Sequence, residues 1–365
     1  MTHEPIHVDP PPVYCPIPSA VHPLVSEIQR RSEDWIAQFA FWPDATGRET
    51  VQAFNCGELA ARMAPDGIPE HLQICTDWFH LAFVWDEFYD RLPTAKAGGG
   101  LAQLAELAVK VIRTLRVPAA ALLPEGSPSS VALRDLAERL HGMSTPVQRH
   151  RIIDGQQDWL SAVAWEVASQ TRTELPSLAD YTAQRLYTVG GTAFTGWLDF
   201  LNGIEVSGKE WDAPAVRALT EISGIIVAVD NDLYSYAKDL WFQQRHGVLL
   251  LNYVSVLAAH FGCSVPEALD RAVRMRDRLM CLFLTLREQI ARRASSDLNR
   301  YIVGLGHFIR ANIDYGNVSL RYRNPDGRSP NATQSTMRFS DTPSDASLEP
   351  IDIPHIAWWW EQLHG

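Results

Sequence analysis

Apolar residues recur every three or four positions along most of the chain, which is the spacing that places them on one face of an α-helix. Alternating apolar and polar residues beside tight turns, the pattern of β-hairpins, are nearly absent. The pattern therefore predicts an all-α protein. The predicted helices cover Leu24–Phe39, Thr50–Met63, Glu70–Asp90, Gly98–Leu115, Ser129–Met143, Pro146–Thr171, Ser177–Gly203, Ala213–Gln244, Val248–Phe261, Ser264–Ser295 and Asp297–Val318.

The breaks between these helices are short, and none has the composition of an interdomain linker. We expect a proline-rich segment at 1–18, one helical domain at 19–323 and a polar tail at 324–365. The tail is rich in Ser, Asp, Pro, Thr and Asn, a composition that predicts disorder. Near its end, the three consecutive tryptophans Trp358–Trp360 are predicted to dock on the protein's own surface, with a partner's surface as the alternative.

The 365 residues include 32 Lys and Arg against 43 Asp and Glu, which gives a formal net charge of −11. This balance argues against nucleic-acid binding, which needs a basic face. The longest apolar stretch, 248–261, is too short and too polar for stable membrane insertion. The N-terminus lacks the basic and apolar regions of a secretory signal, and the five cysteines show no CxxC spacing. We therefore expect free thiols and a cytoplasmic location.

A first acidic motif closes the apolar, aromatic helix predicted at Glu70–Asp90. Asp86 and Asp90 are four residues apart, so both carboxylates lie on one helical face. Two like charges in that position repel, and a divalent cation beside them reverses the sign of the interaction. The alternative is a solvated helix end in which the carboxylates lie beside Arg91.

A second motif follows the nearly all-apolar run Ile222–Val229. Asn231, Ser235 and Asp239 are each four residues apart and form one line of oxygen-bearing side chains, here called the oxygen stripe. Amide, hydroxyl and carboxylate oxygens are the hard ligands that Mg²⁺ prefers. Lys238 lies beside the stripe and could contact a phosphate.

The chain at this point resembles class I terpene synthases of the bacterial, single-domain type. Residues 231–239 match the family's (N/D)DxxSxxx(E/D) pattern, and residues 86–90 match its aspartate-rich motif with Glu87 in place of the second Asp. Arg185 lies upstream of the stripe where the family has a diphosphate-sensing arginine, and the family's Arg-Tyr pair is found at Arg321 and Tyr322. The resemblance covers roughly 13–323.

The resemblance implies a single helical bundle around a central cavity that holds a prenyl diphosphate and three Mg²⁺. Asp86, with Asp90, would bind two ions, and the oxygen stripe would bind the third. Glu87 would pair with Arg185. The groups expected to donate hydrogen bonds to the diphosphate are Arg185, Lys238, Arg321 and Tyr322.

A water-poor pocket must hold the allylic cation that ionisation leaves, and aromatic faces stabilise a cation. Phe83 lies one turn before Asp86 and is expected to face this pocket; the further aromatic candidates are Phe54, Phe79, Trp197 and Tyr315. Gly190-Gly191 interrupts a predicted helix, so a break is expected there. In the family such a break aims a backbone carbonyl at the cation, here that of Val189 or Gly190, with Thr188 at the position before it.

The expected activity is Mg²⁺-dependent cyclisation of a prenyl diphosphate to a terpene hydrocarbon or alcohol. Farnesyl diphosphate is the favoured substrate because it is the commonest one in this group, and geranyl and geranylgeranyl diphosphate are alternatives. Two remoter hypotheses are a prenyl chain-elongating transferase and a non-catalytic all-α interaction protein. No residue pattern decides for or against a homodimer.

Overall fold

The computed structural model describes residues 4–39, 41, 49, 52–90, 99–120, 122–124, 126–169, 172–327 and 329–364, except the side chains of 87–90 and 99. Most described residues are helical. The α-helices are α1 Val25–Ala37, α2 Cys56–Met63, α3 Pro69–Asp90, α4 Gly99–Arg116, α5 Pro128–Met143, α6 Pro146–Ser169, α7 Leu178–Thr188, α8 Gly191–Thr195, α9 Leu198–Asn202, α10 Gly208–Trp211, α11 Pro214–His246, α12 Tyr253–Phe261, α13 Val265–Ala291, α14 Ser296–Val318 and α15 Trp358–Glu361. The strands are β1 Ile6–Val8, β2 Val13–Tyr14, β3 Thr333–Ser335 and β4 Phe339–Ser340, and short 3₁₀ helices cover Pro118–Ala120, Leu320–Tyr322 and Gln362–His364.

Local signals in the sequence explain where several helices begin. The Ser177 hydroxyl accepts a hydrogen bond from the backbone N–H of Asp180 at 3.1 Å, which caps α7. Ser264 and Glu267 form a reciprocal capping box at the start of α13, with proline in the first turn. Both caps confirm the helix starts predicted from the sequence.

The 33-residue helix α11 is the centre of the bundle. Its run from Ile222 to Val229 is buried on all sides, as its unbroken apolar character predicts. Helices α8, α13 and α14 pack around it. The oxygen stripe follows directly on this buried run, so the core of the fold carries the candidate metal ligands.

The described residues of the tail, 324–327 and 329–364, pair and pack with the rest of the protein, so the prediction of a disordered tail is wrong. Strand β3 pairs in parallel with β1, joining Ile6 to Thr333, and β4 pairs in parallel with β2, joining Val13 to Phe339. The tail's polar backbone thus finds partners in the proline-rich N-terminal segment. Composition alone missed this pairing because the two partners lie at opposite ends of the sequence.

The tryptophan segment docks on the protein's own surface, as predicted. The Trp359 side chain is 1% exposed, and its indole N–H donates to the Glu221 carboxylate of α11 at 2.9 Å. Trp360 is also buried, whereas Trp358 is only half-buried. Burial of the Trp359 indole therefore holds the segment around it against α11.

All five cysteines are free thiols, as the sequence predicts. None of the helices in the described ranges has both the length and the apolar character that crossing a bilayer requires.

Replacing Trp359 by alanine is expected to lower the free energy of unfolding by about 3–5 kcal/mol, because a fully buried indole is lost. Trp358→Ala is the matched control and should cost much less, because its side chain is already partly in water. Urea denaturation followed by circular dichroism measures both. Equal midpoints for the two variants would contradict the docking.

Candidate active site

A cavity that opens to solvent lies between α3, α6, α7, α8, α11 and α14. Polar and charged side chains line its mouth, and aromatic and aliphatic side chains line its interior. The predicted site residues that line it are Phe79, Phe83, Asp86, Arg185, Val189, Gly190, Asn231, Ser235, Lys238, Asp239, Tyr315, Arg321 and Tyr322. Side chains that are far apart in the sequence thus share one cavity.

The oxygen stripe lies along the face of α11 at the mouth. The Ser235 hydroxyl donates to Oδ2 of Asp239 at 2.8 Å, and the Asn252 amide donates to the same oxygen at 2.9 Å. Both hydrogen bonds that the described residues make to Asp239 therefore end on Oδ2, and Oδ1 is left as a ligand for a cation. Burial raises the pKa of Asp239, and the Lys238 ammonium partly opposes that rise.

Arg185 lies in the last turn of α7 and reaches across to α11. Its Nε donates to Oδ1 of Asp232 at 2.9 Å, and its Nη2 donates to the same oxygen at 2.6 Å and to Oδ1 of Asn231 at 2.7 Å. Asp232 is 1% exposed and also accepts from the Tyr181 hydroxyl at 2.8 Å and the Tyr253 backbone N–H at 2.7 Å. A carboxylate held by so many donors fixes the arginine at the mouth.

Asp232 and Asn252 are positioning residues that the sequence analysis did not assign. Asp232 could have been found, because it is the acidic second position of the motif that begins at Asn231. Asn252 belongs to no recognised motif. Its amide bridges the Asp232 carbonyl, at 2.9 Å, and the Asp239 carboxylate, and its own Oδ1 caps α12.

On the opposite side of the mouth, Asp86 of α3 forms an ion pair with Arg321. The Arg321 guanidinium also lies over the Phe83 ring, 4.9 Å from its centroid. Burial and pairing of this kind keep an arginine aligned at the edge of a pocket. The side chains of Glu87 and Asp90 lie outside the described residues, so their metal-binding and arginine-pairing roles stay predictions.

Tyr322 joins the Arg-Tyr pair to the oxygen stripe. Its ring packs edge-on against Tyr234 with centroids 4.7 Å apart, and the Lys238 ammonium lies 5.9 Å from its ring centroid. The Tyr234 hydroxyl in turn accepts from the Asn231 amide at 2.8 Å and donates to Asn312 at 2.9 Å. The amide of Asn231 is thereby oriented with its oxygen toward Arg185.

The predicted helix break is present, and it divides the predicted helix Ser177–Gly203 into α7, α8 and α9. Gly190 has φ 81°, a left-handed conformation that a side chain would strain. A Cβ on Gly191 would lie 2.5 Å from the Leu186 carbonyl and 3.3 Å from Cα of Gly224, so α8 crosses α11 at backbone contact. The Gly190 carbonyl accepts from the Phe194 N–H at 2.7 Å, whereas no donor among the described residues reaches that of Val189.

Two of the predicted pocket aromatics lie elsewhere. Phe54 lies behind the wall, where it packs edge-on against Phe83 at 5.6 Å and its carbonyl accepts from the Tyr315 hydroxyl at 2.6 Å. Trp197 follows the turn at Gly196, where α8 packs against the backbone of α6, and its buried indole lies in a separate packed region beside Leu140 and Ile152. Helical spacing alone could not foresee either displacement.

Aromatic residues that the sequence analysis did not single out complete the interior: Trp78, Trp159, Phe194 and Phe308. Phe194 packs edge-on against Phe79 with centroids 4.9 Å apart. Gln156 closes the floor, accepting from the Trp78 indole at 3.0 Å and donating to the Ala193 carbonyl at 3.1 Å. Its two amide atoms are thus already engaged, and the floor stays compatible with an apolar ligand.

Glu166 of α6 also lines the mouth, although no motif surrounds it. Burial raises its pKa to about 7; Arg185 opposes this rise, and the nearby carboxylates Asp86, Asp232 and Asp239 add to it. Several acidic groups therefore share a mouth in which their charges repel. Such a site favours a cation.

The donor set fits Mg²⁺. It offers one amide, one hydroxyl and one carboxylate oxygen in the stripe, and the Asp86 carboxylate opposite. Within the described ranges, no three His, Cys, Asp or Glu side chains form a metal-binding group. Mg²⁺ takes few protein ligands and completes its shell with water and substrate phosphates.

The helical bundle has an apolar, aromatic cavity whose mouth carries basic side chains beside carboxylate, amide and hydroxyl oxygens, which fits an enzyme for a diphosphate ester with an apolar chain. The family described as terpene synthase family 2, C-terminal metal binding, matches residues 77–281. The chain belongs to this terpene synthase family.

Curated relatives and a solved structure support membership of the same family. The chain is 33% identical to the phomopsene synthase of Allokutzneria albata over 98% of both chains. The crystal structure of the SVS_A2 protein from ancestral sequence reconstruction is 33% identical, has a TM-score of 0.82, and is matched over 97% of this chain and 99% of that one. The predicted terpene synthase family, all-α fold and carbon–oxygen lyase activity are confirmed.

The relatives differ in the substrate class that their names state. A diterpene cyclase, DtcycA, from Streptomyces sp is 32% identical over 97% of this chain and 96% of its own length. A T-muurolol synthase of Streptomyces clavuligerus, named as cyclising farnesyl diphosphate, is 30% identical over 95% of this chain and 81% of its own length.

Replacing Asn252 by aspartate is expected to weaken Mg²⁺ binding about 10–100-fold, because the donor that orients Asp239 becomes a repelling carboxylate. Aspartate keeps the side-chain oxygen that caps α12, and circular dichroism checks that the variant retains the fold. Titration of Mg²⁺ in the presence of inorganic diphosphate by calorimetry measures the affinity.

Asn202→Asp is the control, because the Asn202 amide donates only to a helix carbonyl within the described part of the chain. Unchanged Mg²⁺ affinity in Asn252→Asp would show that Asn252 acts as a helix cap alone.

Proposed function

We propose that this protein binds a prenyl diphosphate with three Mg²⁺, ionises it, and cyclises the allylic cation to a terpene hydrocarbon or alcohol, releasing diphosphate. The observation that carries the proposal is the convergence at one cavity mouth of the oxygen stripe, the Asp86 carboxylate and two fixed arginines. Asp86, with Asp90, would hold two ions and the stripe the third. Bound magnesium would supply Lewis acidity to the diphosphate as its C–O bond breaks.

The basic side chains would bind and orient the diphosphate. Arg321 now pairs with Asp86, and Arg185 pairs with Asp232 and Asn231. A diphosphate offers both guanidinium groups stronger acceptors, and a planar fork meets two phosphate oxygens at once. Arg321 would then release Asp86 toward the cations. Lys238 and Tyr322, which lie side by side, would add two further donors.

The interior would hold the apolar chain and exclude water. Phe79, Phe83 and Phe194 line it with aromatic faces, each of which stabilises a nearby cation by about 0.5–2 kcal/mol. The carbonyl of Val189 is the better candidate for the dipole aimed at the cation, because the Gly190 carbonyl already accepts from Phe194. The described lining residues from α8 and α14 are uncharged, so they offer no carboxylate or amine to trap the cation.

Farnesyl diphosphate is the substrate that the sequence analysis favours. Geranylgeranyl diphosphate is the second candidate, because the chain resembles a named diterpene cyclase over nearly its whole length. We expect one of the two to be turned over with a higher kcat/KM than the other and than geranyl diphosphate. Incubation with each diphosphate and Mg²⁺, followed by mass spectrometry of the organic extract, identifies the chain length of the product.

Asp86→Asn and Asn231→Ala are each expected to lower the rate of diphosphate release by at least about 10²-fold, because each removes a ligand from one metal group. Asp154→Asn is the matched control: its carboxylate is exposed on α6, outside the cavity, and its loss should leave the rate unchanged. A non-catalytic interaction protein would release no diphosphate, whether unaltered or substituted. Absence of release by the unaltered protein with all three prenyl diphosphates would refute the proposal.

Removing divalent cations with EDTA is expected to stop diphosphate release, and MgCl₂ should restore it. Circular dichroism should show that the helical content stays the same, because the core of α11 is apolar and needs no metal. Turnover that persists in EDTA would contradict a metal-dependent ionisation.

A further inference from the structure

The two ends of the chain form a structure that the proposed function leaves unexplained. Strand β1 pairs with β3 and β2 with β4, and we call residues 6–14 and 333–344 together the terminal clasp. Strands β1 and β3 pack on α11. The Ser335 hydroxyl donates to the carbonyl of Leu233 at 3.3 Å. The clasp thus contacts the metal-site helix behind the oxygen stripe.

The clasp also holds the turn that carries the Arg-Tyr pair. The Thr333 side chain is 0% exposed, and its hydroxyl donates to the backbone carbonyl of Tyr322 at 2.7 Å. Asn317, three residues before this turn, exchanges two hydrogen bonds with Met337 of the clasp, at 2.9 and 3.1 Å. The turn at 320–322 is only a short 3₁₀ helix, which has few hydrogen bonds of its own. Its position therefore depends on groups outside it.

Buried charges fix the clasp to the bundle. One oxygen of Asp277 accepts from the Tyr14 backbone N–H at 3.0 Å, and the other accepts from the backbone and hydroxyl of Ser344, both at 2.8 Å. Its neighbour Arg276 donates to the Tyr14 carbonyl and pairs with Asp230, at 2.9 Å. Both partners of that ion pair are 0% exposed, so breaking it would leave an uncompensated buried charge.

We propose that the terminal clasp positions the diphosphate-binding end of the cavity, and that Thr333 is its positioning residue for Arg321 and Tyr322. Thr333 touches neither metal nor substrate; it satisfies the carbonyl of Tyr322, which fixes the turn that points Arg321 across the mouth to Asp86. This inference rests on the proposed function, in which both side chains bind the diphosphate. It gives residues 6–14 and 333–344 a role in positioning the groups that bind the diphosphate.

Thr333→Val keeps the shape of the side chain and removes its donor. We expect KM for the prenyl diphosphate to rise about three- to tenfold with a smaller change in kcat, because one hydrogen bond to the turn is lost. In the metal-free protein, backbone amides at 320–324 should exchange with deuterium faster by a similar factor. Thr333→Ser restores the hydroxyl and should restore both values.

Thr342→Val is the matched control, an exposed threonine at the end of the clasp. Asn317→Ala breaks the second link to the same turn and should change exchange at 320–324 in the same direction. If Thr333→Val leaves both KM and exchange unchanged, or if Thr333→Ser is impaired as much as Thr333→Val, the positioning role is wrong. If the unaltered protein releases no diphosphate, the proposed function fails, and amide exchange alone still tests the clasp.

Discussion

A helix that is buried on nearly every side can carry polar side chains only where each of them has a partner, and α11 is such a helix. Asp230 faces Arg276 on one side, and Asp232 faces Arg185 on another. These pairs leave the oxygen stripe as the part of the helix whose hydrogen bonding a cation can complete. Once α11 is placed, its partners determine where α7, α13 and the first residues of α12 must lie.

The need of buried polar groups for partners also makes the two ends of the cavity chemically different. At the mouth, burial raises the pKa of Glu166 to about 7, Arg185 opposes this rise, and the neighbouring carboxylates add to it. Below the mouth, aromatic side chains and a Gln156 amide that is already hydrogen-bonded line the described part of the cavity. The helix break at Gly190-Gly191 contributes to both ends of the cavity. Arg185 lies at the mouth, and the Val189 carbonyl lies at the break, one helical turn further along the chain.

Features that depend on neighbours in the sequence could be predicted from it. The oxygen stripe, the helix caps and the break at Gly190 follow from local spacing and backbone preference, and the all-α fold follows from periodicity. Features that depend on residues distant in the sequence could not be predicted from it. Asn252 lies beside Asp239 because the chain returns there, Trp197 is turned away by contact between α8 and α6, and the tail folds because the first residues of the chain pair with it.

Because β1 and β3 lie far apart in the sequence, their pairing must form after the helices between them have been synthesised. Residues 6–8 are synthesised long before residues 333–335, so this pairing cannot form until the later segment has been made. Loop closure over so long a chain is slow compared with helix formation. The bundle can therefore assemble during translation, whereas the turn that carries Arg321 is fixed only after residues 333–335 have been synthesised. The nascent chain would form the helix that carries the oxygen stripe before the turn of Arg321 is in place.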